Sequence, residues 1–269
     1  MAYPPAFEVS PGNSPVVLSI PHTGEYVPPN ILERFTDQGR QRTDTDWHVH
    51  RIYSDLLPHA ATVRALFHRF VIDANRHPDG KLLYSDRNES SLCPLYTFDG
   101  EPIYQAGDEP GEIEISSRID QYHRPYHAQI QNALEGALQR HGIAILYDCH
   151  SIRSVIPRLF SGQLPDFNIG TNDGVSCSLS ISDTVWKVCS DGDIYSVSLN
   201  GVFRGGWTTR HHGRPHTGIH AVQMELSQST YMLEQPPWTI DEQKVRRLRG
   251  VLKTVLHSLE DAAESLVRK

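Results

Sequence analysis

Ile143-Ala-Ile-Leu-Tyr147, followed at once by Asp148-Cys149-His150-Ser151, is the stretch on which the fold turns. Five apolar residues with no polar face have the length of a strand buried on both sides, and they end abruptly in side chains that carry chemistry. Upstream, Ile119, Tyr122, Tyr126, Ile130, Ala133, Leu134, Ala137 and Leu138 recur at helical spacing, and His141-Gly142 supplies a stop. A helix feeding directly into an interior strand is the signature of an α/β protein. The same alternation extends outward in both directions. Val16-Val-Leu-Ser-Ile20 reads as a strand broken by Pro21-His22-Thr23-Gly24, residues 62–66 and 70–73 as further strands, and Thr43-Asp44-Thr45-Asp46 as a helix start. Toward the C-terminus, residues 180–189 read as a helix, and residues 195–199 and 221–226 as strands. Val245, Leu248, Val251, Leu252, Val255, Leu256 and Leu259 predict a closing amphipathic helix. Residues 84–111, rich in Pro, Gly, Asp and Ser, read as a long loop or lid. No repeat or linker interrupts the pattern, so residues 1–269 are expected to form one α/β domain with a central sheet flanked by helices.

A chain of 269 residues can bury a large core without disulfides or structural metals. Its 25 basic and 32 acidic residues leave a net charge of −7, which argues against nucleic acid as partner, since phosphate neutralisation needs a basic face. Cys93, Cys149, Cys177 and Cys189 make no CxxC pair. The N-terminal stretch lacks a basic segment followed by an apolar one, and no apolar run approaches the roughly 20 residues that span a bilayer. A cytoplasmic protein with no membrane partner is therefore expected. The composition stands out in its 15 histidines, which invite a metal or proton-transfer reading.

Ligands of open α/β sheets gather at the carboxyl ends of strands. His22, Asn75 with Arg76, His150 and Glu225 all fall at such ends. A single histidine there is more often a hydrogen-bonded structural residue, but two of them with carboxylates are a stronger pattern. A catalytic zinc takes three protein donors and keeps one position open, and a His₂-carboxylate set made of His22, Asp46 and His150 meets that need. The water so activated requires a base, for which Glu225 is the candidate. His123 with His127, and His216 with His220, are four apart but lack the Glu of HExxH, and Gly218 argues against a helix through the second pair. His48 and His50 point to different sides of a helix. His211-His212, in the stretch Arg204 to Gly213, reads as a segment that contacts substrate. Arginines beside these motifs, chiefly Arg76 and Arg210, point to an anionic substrate, because guanidinium pairs bidentately with carboxylate. No GxSxG elbow, GxGxxG or phosphate loop is present.

Taken in order, Ile20-Pro-His-Thr-Gly24, Asp44-Thr-Asp-Trp-His48, Asp73-Ala-Asn-Arg76, Tyr122-His-Arg-Pro-Tyr-His127, Asp148-Cys-His-Ser151, Leu164-Pro-Asp-Phe-Asn-Ile-Gly170, Gly205-Gly-Trp-Thr-Thr-Arg210 and Gln223-Met-Glu-Leu226 resemble the N-formylglutamate deformylase (N-formylglutamate amidohydrolase) family of histidine degradation. That resemblance covers most of the chain. It implies a mixed central sheet flanked by helices, similar to zinc carboxypeptidases and aspartoacylases. It implies His22, Asp46 and His150 as ligands of one divalent metal, most simply Zn²⁺, and Glu225 as the base. Glu25, at the HxxE position of the carboxypeptidase pattern, and Asp44 stand as rivals to Asp46. The implied reaction is hydrolysis of N-formyl-L-glutamate to formate and L-glutamate, with Arg76 at the oxyanion, Asn75 on substrate, and Arg210 with Arg153 on its carboxylates. A deacylase or carboxypeptidase acting on another N-acyl acidic amino acid would use the same machinery. A non-catalytic metal-binding protein is the alternative of a different class, and it would hold several equivalent ions rather than one.

Overall fold

The structure, a computed structural model, describes residues 5–82 and 89–267. Seven strands form one sheet: β1 (Phe7–Ser10), β2 (Val16–Ile20), β3 (Ala61–Ala65), β4 (Ala144–Ile152), β5 (Phe167–Gly170), β6 (Val197–Leu199) and β7 (Ile219–Ser227), in the order β1-β3-β2-β4-β7-β5-β6. The central strands β3, β2, β4 and β7 run parallel, while β1 is antiparallel to β3 and β5 antiparallel to β7. Such a mixed sheet needs cover on both faces. On one face the helices Val49–Tyr53, Leu179–Ser190 and Glu242–Val267 pack over Val16, Leu18, Tyr147, Cys149, Val222 and Met224. The last helix buries Val245, Leu248, Leu252, Val255, Leu256, Leu259 and Ala263, a 3-and-4 spacing in which each large side chain contributes about 1.5–3 kcal/mol of transfer free energy. The other face meets the helix Arg124–His141, whose Tyr126, Ile130, Leu134 and Ala137 cover Val17, Ala144, Leu146, Ile219 and Ala221.

β4 and β7 decide where the site lies. They pair in register from Ala144↔Ile219 to Ile152↔Ser227, so side chains at 144, 146, 148 and 150 share a face with those at 219, 221, 223 and 225. On that face both strands change character at the same step. Leu146 and Ala221 belong to the apolar layer, whereas Asp148, Gln223, His150 and Glu225 are buried polar groups. The opposite face carries the apolar Tyr147, Cys149, Val222, Met224 and Leu226, with the polar His220 and Ser151 toward its two ends.

The expected strands and helices appear with boundaries shifted by a few residues, and four differences are informative. Strand β4 does not stop before Asp148. Its ladder with β7 continues to Ile152, placing His150 inside the strand rather than beyond it. Thr43 to Asp46 do not cap a helix, because the next one begins at Val49 and the Asp46 carboxylate accepts instead from the Ser151 N–H of β4, at 2.9 Å. Residues 70–73 form a turn held by Val71 N–H to His68 O and Asp73 N–H to Leu92 O, since the parallel edge beside β3 is already closed by β1. Strands β1 and β5, of four residues each, are too short to stand out by pattern. Within the expected loop, residues 89–111 are irregular and 84–88 lie outside the described residues. The Gly142 stop is as expected, with φ of 72°.

Candidate active site

Three separate pieces of chain converge at the carboxyl ends of β2 and β4. His22 follows β2 by two residues, His150 lies in β4, and Asp46 is held between them: its N–H donates to His22 O at 3.0 Å and its Oδ2 accepts from Ser151. Gln228 donates to the Thr45 carbonyl and Tyr231 to the Trp47 carbonyl, which fixes the Asp46 segment from the far side. All three side chains are at most 2% exposed, and one donor atom from each lies within 4.8 Å of the others. Among the described residues this is the one such group of three His, Cys, Asp or Glu side chains.

Tautomer and orientation follow from two further carboxylates. His22 Nε2 is 2.8 Å from Asp73 Oδ1, and His150 Nε2 is 2.8 Å from Asp148 Oδ2. Each carboxylate accepts the Nε2 proton, so both Nδ1 atoms turn toward Asp46 Oδ2, at 3.8 Å for His22 and 3.5 Å for His150. His22 Nδ1 is buried and has no hydrogen-bond partner. An orphaned imidazole nitrogen facing a carboxylate and a second imidazole, each imidazole backed by its own carboxylate, is a donor set that fits a divalent cation. Burial and the Arg69 charge pull the His22 pKa down against Asp73 and Asp46. Burial also opposes charge on His150, but Asp148 and Asp46 prevail and push it well up. Asp73 likewise resists burial, with Arg69, His22 and Arg76 holding it well below the usual range.

Glu225 is the register partner of His150 on β7 and lines the same cavity as His22 and His150. Burial raises its pKa from 4.5 to about 8; His150 and Arg69 oppose this, while Asp46 and Asp148 reinforce it. A carboxyl so placed can take and return a proton near neutral pH. Its Oε2 accepts from Gln223 Nε2 at 3.1 Å. The apolar side of the cavity is made by Phe98, Ile152, Leu159, Val202 and Phe203.

The other expected residues are distributed unevenly. Asn75 and Arg76 both line the cavity. Asn75 Oδ1 accepts the Thr208 N–H at 2.8 Å, and Arg76 donates to the Ser90 carbonyl and hydroxyl and to the Asn75 carbonyl. Arg153 pairs with Asp99 at 2.7 Å, Arg210 donates to the Gly205 carbonyl, and neither lines this cavity. Among the rival carboxylates, Glu25 is exposed. Asp44 is buried but accepts from the Phe98 N–H, with burial raising its pKa to about 6, and neither joins the cluster. His123 and His127 face carbonyls, not a metal: their Nε2 atoms lie 2.9 and 2.8 Å from Arg76 O and Ala74 O and so brace the Asn75 turn. His127 also meets His212, and His211 stacks on Trp207.

Arg69 was not singled out from sequence, although it lines the cavity, pairs with Asp73 at 2.7 Å and with Asp46 at 3.5 Å, and lies over the Phe98 ring. It precedes a stretch whose apolar run reads as a strand, which hides a turn that aims the guanidinium inward. The backing roles of Asp73 and Asp148 were also missed. A signal was present in both cases: each Asp sits two residues before a site residue, in Asp73-Ala-Asn75 and Asp148-Cys-His150.

A mixed sheet whose central strands bring a buried carboxyl beside a His–Asp–His cluster defines, together with the relatives that follow, an enzyme of the amidohydrolase class. The family model described as N-formylglutamate amidohydrolase matches residues 14–232. The chain belongs to the N-formylglutamate amidohydrolase family. It is 41% identical over 251 residues to an N-formylglutamate deformylase of Pseudomonas putida, covering 92% of this chain and 93% of that one. Identity to the Pseudomonas aeruginosa N-formylglutamate deformylase is likewise 41%, over 250 residues with the same coverage. The crystal structure of an N-formylglutamate amidohydrolase from Ralstonia eutropha superposes with a TM-score of 0.79 at 25% identity, over 96% of this chain and 97% of that one. An Agrobacterium tumefaciens gene product shares the fold, with a TM-score of 0.70 at 19% identity over 99% and 97% of the two chains. No helix among the described residues is long and apolar enough to cross a membrane.

Proposed function

We propose that the protein hydrolyses N-formyl-L-glutamate to formate and L-glutamate with one divalent cation, zinc by its donor chemistry, as a step of histidine degradation in the cytoplasm. The observation that carries this reading is the orphaned Nδ1 of His22 beside Asp46 and His150, with Glu225 one strand away and facing the same cavity. His22, Asp46 and His150 would hold the cation. Bound there, it would supply Lewis acidity to the formyl oxygen and to water. Glu225 takes a proton from the attacking water and returns it to the departing amine nitrogen. Arg76 meets the anionic substrate and the developing oxyanion, with Asn75 beside it. Arg69 keeps Asp46 and Asp73 ionised, so that the imidazoles they face stay oriented. Arg153 and Arg210, which the resemblance places on the substrate carboxylates, act in this reading indirectly, by holding Asp99 and the Gly205 carbonyl.

The test is formate release from N-formylglutamate, measured before chelation, after chelation and after metal is restored. Release that is lost and regained supports the reading, and no release with metal restored removes it. Parallel rates on acetyl and peptidyl glutamates separate it from a broader N-acyl deacylase or carboxypeptidase. Elemental analysis showing one equivalent of metal rather than several separates it from a metal carrier.

A further inference from the structure

Glu225 has two carboxyl oxygens, and proton transfer to and from a substrate needs one of them kept in a defined place. The β7 backbone does not supply this, but the side chain two residues earlier does. Gln223, buried at 3% exposure, donates Nε2–H to Glu225 Oε2 at 3.1 Å. Its own orientation is forced, because Oε1 accepts the Gly206 N–H at 2.8 Å, and a backbone N–H can only donate. Asn75 Nδ2 also points to Gln223 Oε1, at 3.4 Å. Asn75 in turn cannot flip, since its Oδ1 receives the Thr208 N–H. A polarised series therefore runs from the helix Trp207–His212 through Asn75 and Gln223 to one named oxygen of Glu225. Gly206 makes the approach feasible: a Cβ there would lie 2.3–2.5 Å from the Asn75 side-chain amide.

We propose that Gln223 is a positioning residue that reserves Oε2 of Glu225 as an acceptor and leaves Oε1 as the oxygen that exchanges the proton; this rests on the hydrolysis proposed above. In that step a water O–H bond breaks and an Oε1–H bond forms while the water oxygen joins the formyl carbon. The carbon–nitrogen bond then breaks, its electron pair stays on nitrogen, and the Oε1 proton passes to that nitrogen. No further reactant is needed.

Gln223→Glu separates this role from a purely structural one. The variant keeps an oxygen to accept from Gly206 and Asn75 but turns the donor facing Glu225 into a second carboxylate. The expected result is a fall in kcat of about 10- to 100-fold, the size of a lost hydrogen bond to a charged group, with KM and metal content held. Gln223→Met, which removes the donor without adding charge, should lower kcat similarly and is read by the same kcat-against-KM split if Gln223→Glu does not fold. Wild-type kcat in either folded variant overturns the inference, as does a loss confined to KM. If wild-type protein itself releases no formate, the function reading fails. If it does and the variants match it, only the role of Gln223 falls.

Discussion

Glu225→Gln in the chelator-treated protein replaces a buried acid with a neutral side chain of nearly the same shape. Burial holds the Glu225 pKa at about 8 in the folded chain, against 4.5 for an unperturbed glutamate. Between those values the folded state keeps a proton that the unfolded state has released. Wild-type stability is then fully present below pH 4.5 and is lost as pH rises through about 8, whereas the glutamine variant carries no such dependence at this position. At about 1.4 kcal/mol per pH unit, the difference between the two proteins grows by about 5 kcal/mol across the window. For a chain of this size that corresponds to a melting-temperature difference of about 10–20 °C opening between acid and alkaline buffer. Groups that do not face Glu225 titrate alike in both proteins, so the difference reports this carboxyl together with the neighbours whose charge it feels, His150 above all. Thermal melts at matched pH steps provide the assay. A constant offset between the two proteins from pH 4.5 to 8 would refute the idea that Glu225 is a desolvated acid facing the cluster. In the metal-loaded enzyme the same variant should keep its ion yet lose about 10²- to 10⁴-fold in kcat.

Removing Arg69 with Arg69→Met leaves Asp73 and Asp46 without their shared guanidinium. A loss of about 3–5 kcal/mol in denaturant melts is expected, and a loss within 0.5 kcal/mol would show the pairing to be idle. Gly206→Ala drives a methyl group into the Asn75 amide and should cut kcat more than it lowers the melting temperature, checked by paired kinetics and calorimetry. His22→Ala should abolish retention of one metal equivalent after gel filtration while leaving the circular dichroism spectrum intact, because the imidazole serves the cluster and not the core. Leu252→Ala, at a fully buried position of the last helix, should cost about 2–5 kcal/mol with no change in KM.

The parts of the fold legible in sequence are those where pattern and environment coincide. β2, β4 and β7 are buried on both faces, so their apolar runs announce them, and the last helix declares its stripe by period alone. β1 and β5 are four-residue strands whose pairing is decided by neighbours far along the chain, which no local pattern encodes. At the site, His22 and His150 were legible because short polar motifs directly after apolar runs mark strand ends, whereas Asp46 follows no such run and stood out only by the resemblance, against Glu25 and Asp44. The arginines were harder. Arg153 and Arg210 adjoin the motifs in sequence, but the chain turns Arg153 toward Asp99 and Arg210 toward a carbonyl. Arg69, farther from any motif, reaches the cavity through a turn. Nearness along a chain says little about which way a long side chain points once the strand has ended.

The shared switch from apolar to polar along β4 and β7 has a consequence for how this sequence can change. Because alternate residues face opposite layers, inserting or deleting one residue within either strand would carry His150 or Glu225 into the apolar layer behind the sheet and bring Cys149 or Met224 forward in its place. A length change there abolishes the site even if the strand still pairs. The irregular residues 89–111 carry no such parity, so length variation in this family should accumulate in segments of that kind and stay out of 144–152 and 219–227.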